Sequence, residues 1–369
     1  MSLGIIGTGR LGICMALCFE KAGFVVYGID NNKIMVEQIK NKSLTSFEPG
    51  VNEMLKNSEA LHMVESYQEM FHNCDIVFVV VPTPSLPDGS YNHQYIEDVV
   101  QSIMMLGRQE KEKILVISCT TMPEYCESLQ NKLLPFNIHV CYNPEFIAQG
   151  NIIEGFTNPD IVLIGARVHD VGKRVAGIYH KVCNNCPRIC EMSLTEAEIT
   201  KISLNCFVTM KISYANMIGD LVKRAGGNPH SVLQAIGNDA RIGLKCLGWG
   251  YGYGGPCFPR DNIALQKYGE SKRMELHLSR ATDVTNEQHL QEMLGQIMST
   301  HPKNKEYVFD YITYKPNTII LEQSFPLKLA LALCKEGYCV RIKESSKVID
   351  MLKEQFGSLF IYEECEYDV

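Results

Sequence analysis

The sequence predicts an α/β protein: an N-terminal Rossmann-type doubly wound sheet, a central long-helix segment and a smaller, shortened C-terminal α/β domain. Three observations predict it. A glycine turn, GTGRLG over Gly7–Gly12, sits between an apolar strand and an apolar helix. Three later β-branched runs each end in turn residues, as strands of a parallel sheet buried on both faces do. From Ser193 the alternation stops and a helical pattern of about thirty residues begins. The chain divides accordingly into an N-terminal Rossmann-type domain over 1–190, a central helical segment bearing a glycine-rich cysteine loop over 191–295, and a C-terminal α/β domain over 296–369.

Composition bounds the function. At 369 residues with 46% apolar and 21% charged side chains, the chain has the make-up of a soluble globular protein. Its net charge of −7 argues against nucleic acid as the main partner, and no apolar run approaches a membrane span. The chain opens directly into a strand, with no leader pattern, and its 15 scattered cysteines suit a reducing cytoplasm. Cys183, Cys186 and Cys190 have CxxC-like spacing, but no second ligand pair lies near, so no metal site is expected.

In chain order, SLGIIG is a strand, ICMALCFEKAG a helix ending at Gly23, and FVVYGID a strand closing on Asp30. In such a unit the first glycine makes the tight turn, the second admits a pyrophosphate and the third packs helix on strand. Asp30, 18 residues after Gly12, is placed to accept from ribose hydroxyls and to repel a 2′-phosphate, favouring NAD over NADP. The runs CDIVFVVVPTP, KILVISCTTMP and NIHVCYNPEF deliver Thr83, Thr121 and Glu145 to the carboxyl ends of three strands, where ligands of such sheets bind. The long helix carries Thr195–Glu198 as a capping box and first-turn acids. Lys201 and Asn205, four residues apart, share one of its faces. Its length suggests a span between domains and contact with a second subunit. A shorter helix comes next and ends in a turn containing Arg241; the last third reads as a strand, a turn at Lys315-Pro316-Asn317, then helix and strand.

The most chemically suggestive stretch is GWGYGYGGPCFPRD, Gly248–Asp261. Five glycines precede Cys257, and Pro256 and Pro259 bracket it. Glycines permit close backbone approach, and the prolines stiffen the turn that presents the thiol. Arg260 and Asp261 supply a positive charge near the sulfur and an orienting carboxylate, which is the setting of a reactive thiol.

Taken together, GTGRLG with Asp30, EPGVNEML, VPTP, TMP, NPEF, TKISLN, NDARIG and GYGGPCFPRD, in that order, resemble the UDP-glucose/GDP-mannose dehydrogenase family over nearly the whole chain. The resemblance implies an NAD-dependent oxidation of a nucleotide sugar's C6 alcohol to the carboxylate through a thiohemiacetal and thioester on Cys257. UDP-glucose is the simplest substrate; GDP-mannose, a UDP-N-acetylhexosamine or a non-catalytic binding homologue stand as alternatives. By the same resemblance Lys201 and Asn205 stabilise oxyanions, Asp261 and Thr121 position water, and Glu145 is the general base. Gly7, Gly9, Arg10, Leu11, Gly12, Asp30, Lys33, Thr83 and Thr121 would hold NAD. Glu145, Phe146, Lys201, Asn205, Arg241, Tyr251, Gly254 and Lys315 would hold the substrate. Arg241 would reach it from the neighbouring subunit of a homodimer formed through the central helix. The chain departs from the family pattern at Ala148 and Gln149, where arginine and an acid are usual, and at Glu322, where arginine is usual.

Overall fold

The computed structural model describes residues 1–147 and 150–365; Ala148 and Gln149 lie outside the described residues. The chain forms two compact units, Met1–Lys201 and the residues from Ile202 onward.

The first unit is built on an eight-stranded sheet. Its strands are β1 (Ser2–Ile6), β2 (Val25–Ile29), β3 (Leu61–Met63), β4 (Ile76–Val79), β5 (Lys113–Ile117), β6 (Ile138–Tyr142), β7 (Ile161–Ala166) and β8 (Arg188–Met192). The spatial order is β3-β2-β1-β4-β5-β6-β7-β8. All neighbours are parallel except β6 and β7. The strand order reverses between β1 and β4, so the crevice of a doubly wound fold opens at the carboxyl ends of these two strands. β4 and β5 are buried at every residue, which is why they read as unbroken apolar runs. One face of the sheet is covered by a core containing Met70, Phe71, Ile96, Val100, Leu129 and Leu133. The other is covered by Met15, Phe19, Phe156, Val175 and Tyr179.

The helix Leu194–Arg224 is 31 residues long. Its N-terminus corrects the sequence reading: the reciprocal cap is made by Ser193 and Glu196, not by Thr195 and Glu198. Ser193 N and Oγ donate to Glu196 Oε2 at 2.9 and 2.6 Å. Glu198 is fully buried instead and serves another helix, as described below.

Beyond Lys201 this helix is amphipathic in the unusual sense. Thr209, Ser213, Asn216 and Asp220 are buried, whereas Phe207, Tyr214, Met217 and Leu221 are exposed. The buried polar side chains are all satisfied. Thr209 Oγ1 donates to Asn262 Oδ1 at 3.1 Å, Ser213 Oγ to the Thr282 carbonyl at 3.2 Å, and Asn216 Oδ1 accepts from Gly250 N at 3.0 Å. Asp220 accepts from Trp249 Nε1 at 2.9 Å and faces His289 Nδ1 at 2.6 Å.

The rest of the second unit contains a three-stranded parallel sheet ordered β11-β10-β9, from β9 (Tyr307–Phe309), β10 (Val340–Glu344) and β11 (Ile361–Glu364). Its core includes Leu290, Phe309, Phe325, Leu329, Ile342 and Leu352. Among the described residues no helix is long and apolar enough to cross a membrane, and no group of three or more His, Cys, Asp or Glu is arranged to hold a metal ion.

Candidate functional site

In the glycine turn after β1 the three glycines do different work. Gly7 has φ +91°, and a Cβ there would overlap the Val80 carbonyl oxygen; a Cβ on Gly12 would overlap the Gly7 carbonyl oxygen. A Cβ built on Gly9 would meet nothing within 4 Å, so the space beside this residue lies open at the N-terminus of the helix Arg10–Lys21. Open backbone at a helix N-terminus is an anion cradle, and it fits the pyrophosphate of a dinucleotide. Asp30 comes directly after the last residue of β2. Its carboxylate accepts from Thr8 N at 2.7 Å and from Asn32 N at 2.8 Å, which fixes it beside the turn. Arg10 and Leu11 begin the first helix, and Lys33 begins the next, capped by Asn32. The residues present therefore fit a dinucleotide bound through backbone amides and a ribose-facing carboxylate.

Thr83 and Thr121 are both buried at the carboxyl ends of β4 and β5. Thr83 Oγ1 donates to the Thr120 carbonyl at 2.8 Å. Thr121 Oγ1 donates to Glu198 Oε1 at 2.8 Å, and the same carboxylate accepts from Glu124 N at 2.7 Å and Cys126 N at 2.8 Å. Glu198 thus caps the helix Tyr125–Leu133 and locks the Thr121 turn. His93 completes the turn: its Nε2 accepts from Met122 N at 3.1 Å while the ring stacks on Tyr125, and burial pushes its pKa down to about 4, keeping it a neutral acceptor.

Glu145 lies just past β6. Tyr179 Oη lies 2.8 Å from its Oε1, and Lys201 Nζ donates to its backbone carbonyl at 2.7 Å. Lys201 is buried and lies over the Phe146 ring, 4.4 Å from the centroid. Burial pushes the Glu145 pKa up to about 7, against the opposing pull of Tyr179 and Lys201. A carboxylate so placed exchanges its proton near neutrality, as a general base must.

In the second unit Cys257 is exposed and stands at the N-cap of the helix Phe258–Ser271, with Pro259 in the first turn. The glycines before it are filled largely by the chain itself. A Cβ on Gly252 would strike Asn286 and Phe325, one on Gly254 the Gln323 carbonyl, and one on Gly255 (φ +82°) the Tyr314 ring. Gly254 is thus needed for the unit's own packing. Tyr251 is half-buried against Tyr311 and Phe325. Asp261, 1% exposed, accepts from Asn205 Nδ2 at 2.6 Å, and Arg260 Nε is 3.5 Å from its other oxygen. Lys201 and Asn205 lie one turn apart on the long helix, as their spacing predicts.

Arg241 is held by Asp239 through Nε at 2.9 Å and NH2 at 2.7 Å, with its side chain 87% exposed. Lys315 lies 5.8 Å from the Tyr314 ring centroid, and Glu322 is exposed. Sequence reasoning assigned no role to Tyr179, read Glu198 as a first-turn acid of the long helix, and met Asn143 and Glu48 only as letters of the NPEF and EPGVNEML segments. The last accepts from Gly150 N at 2.9 Å and Ile152 N at 3.2 Å, which explains the acid of the EPG segment. Their contacts could not be read locally, since each acts on a segment distant in sequence.

Sequence models of the UDP-glucose/GDP-mannose dehydrogenase family match residues 1–183 (NAD binding domain) and 195–288 (central domain). The UDP-glucose 6-dehydrogenase of Pseudomonas aeruginosa is 29% identical over 356 residues, covering 92% of this chain and 78% of that protein. The enzyme of that name from Haloferax volcanii is 28% identical over 351 residues, covering 91% and 81%. A solved structure of a UDP-glucose dehydrogenase from Pyrobaculum islandicum matches with a TM-score of 0.87 at 29% identity, covering 99% of this chain and 86% of that one. These matches make the chain an NAD-dependent dehydrogenase that belongs to the UDP-glucose/GDP-mannose dehydrogenase family.

Proposed function

We propose that the protein oxidises the C6 alcohol of a nucleotide sugar to the carboxylate, with UDP-glucose the first substrate to test. The observation that carries this reading is the exposed Cys257 thiol at a helix N-terminus, with Asp261 one turn into that helix and Asn205 bonded to it. Bound NAD⁺ supplies the hydride acceptor, and a four-electron oxidation consumes two of them. An aldehyde has no leaving group, so the second oxidation needs a nucleophile that first makes the carbonyl tetrahedral. In this reading Cys257 Sγ forms a bond to C6 and the carbonyl oxygen becomes the thiohemiacetal oxygen. Loss of the C6 hydrogen with its electron pair, and of the hydroxyl proton to water, gives a thioester. Water then adds to C6, the C–S bond breaks and the thiolate returns to Cys257. Lys201 and Asn205 would stabilise the oxyanions by donating hydrogen bonds to them. Glu145 would take the proton from the attacking water, for which a pKa of about 7 suits it. Thr121 and Asp261 would hold that water's neighbours in place.

Support for a nucleotide-type substrate comes from a cleft of about 190 Å³ beside Asp310, Pro316, Asn317, Thr318 and Glu344. It lies just past the carboxyl ends of β9 and β10, where parallel sheets receive ligands. The apolar outer face of the long helix supports a homodimer formed through that helix. Phe207, Met210, Tyr214, Met217 and Leu221 are spaced by three- and four-residue steps, as a helix-packing seam is. Arg241, exposed and stiffened by Asp239, suits reach into a neighbouring subunit. The reading is tested by NADH released per sugar consumed, with UDP-glucose, GDP-mannose and UDP-N-acetylglucosamine in parallel. Two NADH per sugar is expected; one would remove the thioester step, and none from any sugar would favour a non-catalytic binding protein.

A further inference from the structure

Asn143 and Tyr179, both buried, form a chain with Glu145 in which one hydrogen serves two acceptors. Tyr179 Oη lies 2.5 Å from Asn143 Oδ1 and 2.8 Å from Glu145 Oε1. Asn143 Nδ2 donates to the Leu163 carbonyl at 2.9 Å, which fixes the amide so that its oxygen, and not its nitrogen, faces Tyr179. Asn143 and Tyr179 are each 1% exposed, so water does not reach in to supply a substitute. A phenol carries a single donor hydrogen. When Glu145 is ionised, Tyr179 can donate to it only by leaving the Asn143 oxygen without a donor, an arrangement that buried polar groups resist. When Glu145 is protonated the conflict disappears: Glu145 donates to Tyr179 Oη, and Tyr179 donates to Asn143 Oδ1.

We propose that Asn143, acting through Tyr179, is a positioning residue that sets the proton affinity of Glu145 by competing for the tyrosine hydrogen. The other titratable groups around Glu145 are Lys201 from the long helix, Cys18 from the helix Arg10–Lys21, and Cys183 at the end of the helix carrying Tyr179. Lys201 favours the carboxylate through its charge, and its ammonium donates to the Glu145 backbone carbonyl. Cys18 and Cys183 have their thiols pushed up to about 12 and about 11, chiefly by burial, and so stay neutral at working pH. The competition for the tyrosine hydrogen is therefore settled within the Asn143–Tyr179–Glu145 chain.

The kinetic consequence rests on Glu145 being the base of the proposed reaction; the proton affinity itself does not. The test is therefore an infrared pH titration of the Glu145 carboxyl band, assigned by its loss in Glu145→Gln, on the full-length protein. Asn143→Ala removes the competing acceptor and is expected to lower the titration midpoint by about one pH unit, a tenfold change in proton affinity. Asn143→Leu, which fills the volume, serves if the alanine variant does not fold. Tyr179→Phe removes the donor and is expected to move the midpoint upward. Opposite shifts support the relay. An unmoved midpoint in the Asn143 variants, or a shift in the same direction in both Asn143 and Tyr179 variants, overturns it. If the band shifts as expected while the pH profile of kcat/KM stays put, the relay stands and Glu145 is not the base.

Discussion

Gly7–Gly12 and Gly248–Gly255 are the two glycine-rich stretches of the chain, and they use glycine in opposite ways. In the first, two glycines let the turn close on itself so that the third, Gly9, stays open. In the second, Gly248 and Gly250 would leave a Cβ unopposed, but the three glycines nearest the thiol, Gly252, Gly254 and Gly255, are filled by Phe325, Gln323 and Tyr314 of the same unit, and the group presented is the Cys257 thiol two residues further on. Glycine density therefore marks close approach of backbone to something, and the structure decides whether that something is a ligand or the chain itself. The contrast is between surfaces left open and surfaces closed from within.

The sharpest way to break it is at the presented thiol. Cys257→Ser should cut carboxylate formation by on the order of 10³-fold or more, with NADH release falling to at most one per sugar. Retained double release would remove Cys257 from the chemistry. The glycines come next. Gly254→Ala and Gly12→Ala should each destabilise by about 1–3 kcal/mol or more through overpacking, seen in thermal melts. Gly9→Ala should leave the melt unchanged and weaken NAD binding in titration calorimetry. Equal melting losses for Gly9 and Gly254 would erase the distinction.

The same test of open against filled applies to the long helix. Leu221→Asp on its outer face should weaken the proposed dimer by about 10–100-fold, from the ~1.5–3 kcal/mol that burying a leucine contributes, as read by sedimentation at several concentrations. The smallest effect is set by pH. With Glu145 near 7, kcat/KM should rise about tenfold per pH unit below that value and level off above it; Glu145→Gln should lower and flatten the profile. The folded state raises this pKa above its ordinary 4.5, so the folded protein holds the extra proton between those values. The stability contribution of Glu145 is then fully present below about 4.5 and is lost as pH rises towards about 7.

Much of this was legible in the residues because it was local. The strand–glycine–helix–strand order, Asp30, the strand ends carrying Thr83, Thr121 and Glu145, and the helix pairing Lys201 with Asn205 all come from spacing within one or two elements. What escaped depended on long-range pairing. Glu198 looked like a first-turn acid of the long helix, yet its carboxylate reaches back across 77 residues to Thr121. Tyr179 belongs to no motif, yet its hydroxyl is what touches Glu145. The polar inner face of the long helix was hidden for the same reason, since the partners of Thr209, Ser213 and Asn216 come from segments far along the chain.

The cysteines extend the contrast into reagent chemistry. Cys14, Cys18, Cys74 and Cys119 are buried in the first unit, and burial holds their pKa values at about 12, so an alkylating agent meets neither surface nor thiolate there. Cys126 and Cys141 are buried too, with their thiols pushed well up by that burial. Among the described residues only Cys186, Cys246, Cys257 and Cys339 are exposed. A chain with 15 cysteines thus offers an electrophile four ready targets. Of these Cys257 alone stands at the start of a helix, which makes mass-resolved labelling with and without bound NAD a direct reporter of that one position.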